Sequence, residues 1–120
     1  MEIFIVEDDR VLQLMLKKMV ERLGHHVSGT AINGSEATKE IITSTPDLLL
    51  MDIQLKDDID GIQVVESVKK ELDIPVIYIT GNSDFKFQER ANSFGYIDYL
   101  IKPISFETLT KSISKVNGIG

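Results

Sequence analysis

Four stretches of the chain end in groups that could do chemistry together. Glu7-Asp8-Asp9 follows Ile3-Phe4-Ile5-Val6, Asp52 follows Leu48-Leu49-Leu50-Met51, Thr80-Gly81 follows Pro75-Val76-Ile77-Tyr78-Ile79, and Lys102-Pro103 follows Tyr96-Ile97-Asp98-Tyr99-Leu100-Ile101. The apolar runs read as strands buried on both faces, as in parallel sheets, and open α/β sheets bind their ligands at the carboxyl ends of strands. Glu7, Asp8 and Asp52 on neighbouring strand ends would repel one another and raise each other's pKa. A hard divalent cation relieves that repulsion, and Mg²⁺, with its preference for oxygen ligands, octahedral geometry and retained water, suits a few carboxylates plus a backbone carbonyl. Capping of the first helix by Asp8 or Asp9 would account for one acid, not for three that converge.

Lys102 would bring a cation to Asp52 or to a phosphoryl group beside it. Taken alone it reads as a surface lysine before a proline turn, and Thr80 alone as a cap or turn residue. Together the groups describe phosphoryl chemistry. A carboxylate can attack phosphorus and form an aspartyl-phosphate, and such transfer needs mainly positioning and charge neutralisation. No histidine, cysteine or Gly-rich phosphate loop reaches this edge.

The intervening segments must position these ends. From Val11 to Leu23, apolar Leu12, Met15, Leu16, Met19 and Leu23 recur at helical spacing, with Met15 and Met19 read as core and Gly24 as the stop. A short strand follows around His26–Ala31. Asn33 caps a second helix, with Glu36 as its capping-box partner and Ala37 and Ile41 on its buried side. Pro46 closes the loop into the Asp52 strand, and Asp60-Gly61 turns the chain into a third helix, Ile59 to Leu72, with Ile62, Val65, Val68 and Leu72 inward. A fourth helical segment, Ser83 to Phe94, is irregular, because Phe85 and Phe87 stand two apart and cannot share one face. Ser105 caps the last helix, striped by Phe106, Leu109, Ile113 and Val116, before Gly118 and Gly120. Five strand patterns alternating with five helical ones predict parallel crossovers with helices on both faces. The expected fold is α/β, a flavodoxin-like doubly wound five-stranded parallel sheet of order 2-1-3-4-5.

With 120 residues, 42% apolar and 27% charged, the chain reads as one globular domain over 1–120. A net charge of −6 argues against nucleic-acid binding by this domain, no run approaches membrane-spanning length, and the absence of cysteine removes thiolate sites and disulfides. Met1-Glu2-Ile3 enters structure directly and leaves no room for a signal peptide, so a cytoplasmic location is expected. His25 and His26 fall at the far end of the second strand from the acids and read as loop residues. Lys17, Lys18 and Arg22 read as a solvated face that could also meet a kinase.

In its order of motifs the sequence resembles the receiver domains of two-component response regulators. The resemblance rests on Val6-Glu7-Asp8, Asp52 after its strand, Asp60-Gly61, Thr80-Gly81 and Tyr99-Leu100-Ile101-Lys102-Pro103, and it spans essentially the whole chain. It implies that Asp52 takes a phosphoryl group from the phosphohistidine of a sensor histidine kinase or a phosphotransfer protein. It implies that Glu7, Asp8, Asp52 and the Gln54 backbone carbonyl arrange Mg²⁺, and that Lys102 contacts the phosphate. Thr80 and Tyr99 would then act as the switch, moving the surface of helix four, strand five and helix five, through which a homodimer could also form. A cis Lys102-Pro103 peptide is expected as well. The chain departs from the common pattern in carrying Leu55-Lys56 where many members have Met-Pro, and in a loop from Asp52 to Gly61 one residue longer; this bears on loop shape, not on ligands.

Three other readings compete. A flavodoxin-like FMN carrier would need a hydroxyl-rich, amide-presenting loop after the first strand, and Glu7-Asp8-Asp9 would repel its phosphate. A Mg²⁺-dependent phosphatase using Asp52 would need a general acid two residues on, which Gln54 cannot be. A scaffold that no longer accepts phosphate has no reason to keep the acids, hydroxyl and lysine. Nothing after Ser114-Lys115-Val116-Asn117 reads as an output domain, so a stand-alone receiver and a piece of a longer protein are both open.

Overall fold

The computed structural model describes residues 1–81 and 85–117. Strands and helices alternate along it: β1 (Glu2–Val6), α1 (Arg10–Arg22), β2 (His26–Ala31), α2 (Gly34–Ser44), β3 (Leu48–Met51), α3 (Gly61–Lys69), β4 (Val76–Thr80), α4 (Phe85–Asn92), β5 (Asp98–Ile101) and α5 (Phe106–Asn117). All strand pairs are parallel and the order is β2-β1-β3-β4-β5, the expected doubly wound sheet. The register sets Ala31, Val6, Met51, Tyr78 and Tyr99 in one row across the five strands. Glu7 and Asp52 are the next residues on two adjacent strands, so pairing alone brings two carboxylates side by side.

Side chains alternate across a strand, and the continuous apolar runs serve two cores. Ile3, Ile5, Leu48, Leu50, Ile77 and Ile79 pack under Leu16 and Val20 of α1 and Leu109 and Ile113 of α5. Phe4, Val6, Leu49, Met51, Val76 and Tyr78 pack against Ala37 and Ile41 of α2, Ile62, Val65 and Val68 of α3, and Ala91 of α4. Each of these residues is buried, and fully burying a Val, Leu or Ile side chain is worth about 1.5–3 kcal/mol.

Several local expectations are corrected. Met15 is not core: it is 48% exposed, beside Val11 at 70% and Leu14 at 54%. At about 100° of turn per residue, Met15 falls on the flank of the stripe that Leu12, Leu16, Met19, Val20 and Leu23 direct inward. The third helix is shorter than Ile59–Leu72, because Asp60 is its N-cap and its end tightens through Lys70 and Glu71 amides to Ser67 and Val68 carbonyls. The capping box also sits there, between Asp60 and Gln63; Asn33 does cap α2 through the Glu36 amide, but without the reciprocal bond. Strand pairing in β5 begins at Asp98, not Tyr96. Phe85 is 74% exposed while Phe87 packs on the core, as their spacing requires. Ser83, Gly118 and Gly120 lie outside the described residues.

Candidate functional site

The loop after β1 divides its acids by local geometry. Asp9 is the N-cap of α1, accepting from the Val11 and Leu12 amides at 2.9 and 3.2 Å. Glu7 turns inward, 1% exposed, and its Oε2 accepts from the Asp9 amide at 3.1 Å. Asp8 is left half-buried between them. On the adjacent strand the Asp52 amide donates to the Val6 carbonyl at 2.9 Å, which carries the buried Asp52 carboxylate past the end of β3. Carboxylate oxygens of Glu7, Asp8 and Asp52 all lie within 4.8 Å of one another.

Lys102 closes the cluster. Its amide donates to the Thr80 carbonyl at 2.8 Å, fixing the end of β5 to the end of β4, and the Lys102-Pro103 peptide is cis, as expected. Its Nζ bonds Asp52 Oδ2 at 3.1 Å and stands 2.9 Å from Glu7 Oε1. The second contact is an ion contact outside hydrogen-bonding geometry, so buried Glu7 Oε1 has no hydrogen-bond donor among the described residues. Burial pushes the Glu7 carboxyl up to about 8, with Asp52 adding to the rise and Lys102 opposing it. Burial also raises Asp52, against the pull of Glu7 and Lys102. For Lys102 burial works against the charge, but the two carboxylates prevail and hold its pKa above the usual value.

Thr80 is fully buried at the end of β4, on the same edge. Tyr99 lies two rows back, paired with Tyr78 and half-buried, its ring 5.9 Å from that of Tyr78 and 5.8 Å from that of Tyr96. Gln54 is exposed, two residues beyond Asp52. His25 and His26 are at the opposite end of β2, against the N-terminal amine at 2.9 Å and Glu2 at 2.7 Å. An FMN phosphate would need the free amides of α1, and Asp9 already holds two of them.

The family model for the response regulator receiver domain matches residues 3–114. The chain belongs to that family. Relatives of the receiver domain include a probable transcriptional regulator of Cyanidium caldarium, 34% identical over 95% of this chain and 45% of its own length. Among solved structures, the signal receiver domain of a modulated diguanylate cyclase from Desulfovibrio desulfuricans G20 aligns with a TM-score of 0.90 at 32% identity, over 98% of this chain and 94% of that one. The receiver domain of a sensor histidine kinase from Pseudomonas aeruginosa PAO1, with magnesium coordinated in its active-site cleft, aligns with a TM-score of 0.83 at 27% identity, over 97% of each chain. This receiver domain spans about half the length of the first curated relatives it matches. No helix among the described residues is long and apolar enough to cross a membrane.

Three contributors near the receiver site were not singled out from the sequence. Tyr78 is fully buried, and its hydroxyl finds no hydrogen-bond partner among the described residues. Arg90 of α4 pairs with the α3 cap Asp60 at 2.9 Å. Asp57, in the loop after Asp52, bonds the first turn of α2. No local pattern announces any of the three: Asp57 is an acid in a loop, and its facing the N-cap sequence of α2 is tertiary.

Proposed function

We propose that this receiver domain accepts a phosphoryl group on Asp52 in a Mg²⁺-dependent reaction and signals through Thr80 and Tyr99. The observation that carries the reading is the buried cluster itself: two carboxylates on adjacent strand ends, bridged by one lysine, with a third acid within 4.8 Å. The donor set is all oxygen, and buried Glu7 Oε1, held by Lys102 through charge but in no hydrogen bond among the described residues, is an acceptor a hard cation could use. Glu7, Asp8, Asp52 and the Gln54 carbonyl would hold Mg²⁺, with Glu7 also able to act through water. When bound, Mg²⁺ supplies positive charge against the phosphoryl oxygens.

The chain's own residues do the rest. Asp52 offers a carboxylate oxygen to phosphorus; the new P–O bond forms as the P–N bond of a phosphohistidine breaks, and the electron pair leaves with the imidazole. Lys102, already 3.1 Å from Asp52, opposes the rise that burial gives that carboxyl and can follow a phosphoryl oxygen afterwards. Thr80 shares the edge and would turn its hydroxyl to the new acceptor oxygens, and Tyr99 would respond by changing its packing. The surface so altered is α4–β5–α5, where exposed Phe85 and Ile101 suit a partner or a second copy. The donor is a histidine kinase or phosphotransfer protein.

Intact-mass spectrometry after incubation with a small phosphodonor and Mg²⁺ tests the acceptor. Wild type gains one phosphoryl mass, stable to acid and labile to base, and Asp52→Asn gains none; equal labelling of the two would overturn the assignment. The switch is read separately. Thr80→Ala still becomes labelled but loses most of the phosphorylation-dependent NMR shift changes between Phe85 and Lys111.

A further inference from the structure

We propose that Asp57 is a positioning residue for the phosphoacceptor site: by bonding the first turn of α2, it fixes the β3–α3 loop and so sets where the Gln54 carbonyl stands beside Asp52, whose own place is set by strand pairing. The inference rests on the metal and acceptor assignments just proposed.

The loop from Ile53 to Asp60 contains neither proline nor glycine, so before its Asp60 cap no residue of fixed or freed φ pre-sets its shape. It is held from outside instead. Asp57 Oδ1 accepts from the Gly34 amide at 2.9 Å, and Oδ2 accepts from the Ser35 amide at 3.1 Å and the Ser35 hydroxyl at 3.0 Å. A helix leaves its first amides without partners and favours negative charge there. Here the work is divided, since Asn33 takes the Glu36 amide and Asp57 takes the two before it. The Gly34 amide is the main cause of a pKa for Asp57 below the usual carboxylate range.

Packing repeats the tie two residues on. A Cβ on Gly34 would stand 2.6 Å from the carbonyl oxygen and the Cβ of Ile59, so only a glycine lets α2 lie directly on the loop. The loop's far end is anchored at the site: the Gly61 amide donates to the Ile53 carbonyl at 2.7 Å, and a Cβ on Gly61 would collide with the carbonyl oxygen of Asp52. Between these anchors, Leu55 and Ile59 pack on the core, and Asp57 supplies the polar staple that holds the Gln54 stretch of backbone toward α2. Partners that orient the ligands of a metal are commonly worth 10–100-fold in affinity.

Mg²⁺ titration of the full chain, followed by NMR, tests this with three variants. Asp57→Ala should fold, because the residue is half-exposed, and should bind Mg²⁺ about tenfold more weakly and label more slowly. Asp57→Asn keeps an acceptor for the Gly34 amide but drops the charge, and should retain most of the affinity. Asn33→Ala removes the other capping bond of the same helix, and should lower Tm while leaving Mg²⁺ affinity at the wild-type level. Wild-type affinity in Asp57→Ala would overturn the proposal, as would Asp57→Asn matching the alanine variant, which would make the effect one of charge. Equal weakening by Asn33→Ala would overturn it too, reducing the effect to a loosened helix. A wild type that binds no Mg²⁺ would overturn the metal assignment itself and this inference with it.

Discussion

The two ends of β1 carry the same kind of pair in opposite surroundings. At the amino end Glu2 meets His26 at 2.7 Å, with side chains 50% and 72% exposed; at the carboxyl end Glu7 meets Lys102 at 2.9 Å, with side chains 1% and 23% exposed. In water the first pair is screened and worth about 0–1 kcal/mol. In the second, Glu7 has lost its hydration and Lys102 much of its own, so each partner depends on the other. Residue type therefore says little about which end is the site. Burial decides it, by pushing the carboxyl of an ordinary glutamate up to about 8 while the lysine beside it pulls the other way.

Cutting the buried pair should show the largest contrast. Lys102→Ala leaves Asp52 buried without its cation and should cost about 3 kcal/mol, read as a shift of the urea midpoint with unchanged slope. A smaller cost than that of Glu2→Gln would erase the distinction between the two ends. Next, Mg²⁺ at about a hundred times its Kd should stabilise wild type by about 2.7 kcal/mol, and Asp8→Asn should lose most of that gain. If both proteins gain equally, Asp8 is not a ligand.

Acidity sharpens the comparison in sign as well as size. Burial raises the Glu7 carboxyl from its ordinary 4.5 to about 8, so between those values the folded chain binds more protons than the unfolded one. Stability in the absence of divalent metal should then fall as pH rises from about 4.5 to about 8, and the raised Asp52 acts in the same sense. Saturating Mg²⁺ should flatten this slope, because the metal needs the carboxylates ionised. Thermal melts from pH 5 to 9, with EDTA and with Mg²⁺, decide it; a Tm that rises across that range in EDTA would contradict the burial argument. The smallest effect is expected at the open end, where Glu2→Gln should move stability by less than about 0.5 kcal/mol.

The sheet order and the convergence of Glu7, Asp8, Asp52, Thr80 and Lys102 on one edge could be read before any coordinates. Strand patterns in a doubly wound fold determine which ends meet, and the apolar runs were long enough to be unambiguous. What escaped was whatever depends on angle or on distant partners. Met15 looked like core because spacing of three and four does not separate the centre of a helical stripe from its flank. The division of labour between Asp8 and Asp9 needed the position of the α1 cap, one residue either way. Arg22 reads as a solvated cation and is exposed, but its guanidinium also lies 4.4 Å from the centre of the Phe106 ring on α5, a contact no local pattern announces. The contacts of Asp57 with Gly34 and of Arg90 with Asp60 escaped for the same reason.

The tyrosine cluster gives the protein a native optical probe. The chain has no tryptophan and three tyrosines, and the rings of Tyr78, Tyr96 and Tyr99 stand 5.8–5.9 Å apart, each touching the other two. Its ultraviolet fluorescence and near-ultraviolet dichroism therefore come largely from one place, the β4–β5 edge near Thr80, with phenylalanine adding only a weak background. Rings this close exchange excitation, so a small rotation of Tyr99 alters the signal of all three. Unlabelled protein in a cuvette is enough to follow that edge in real time.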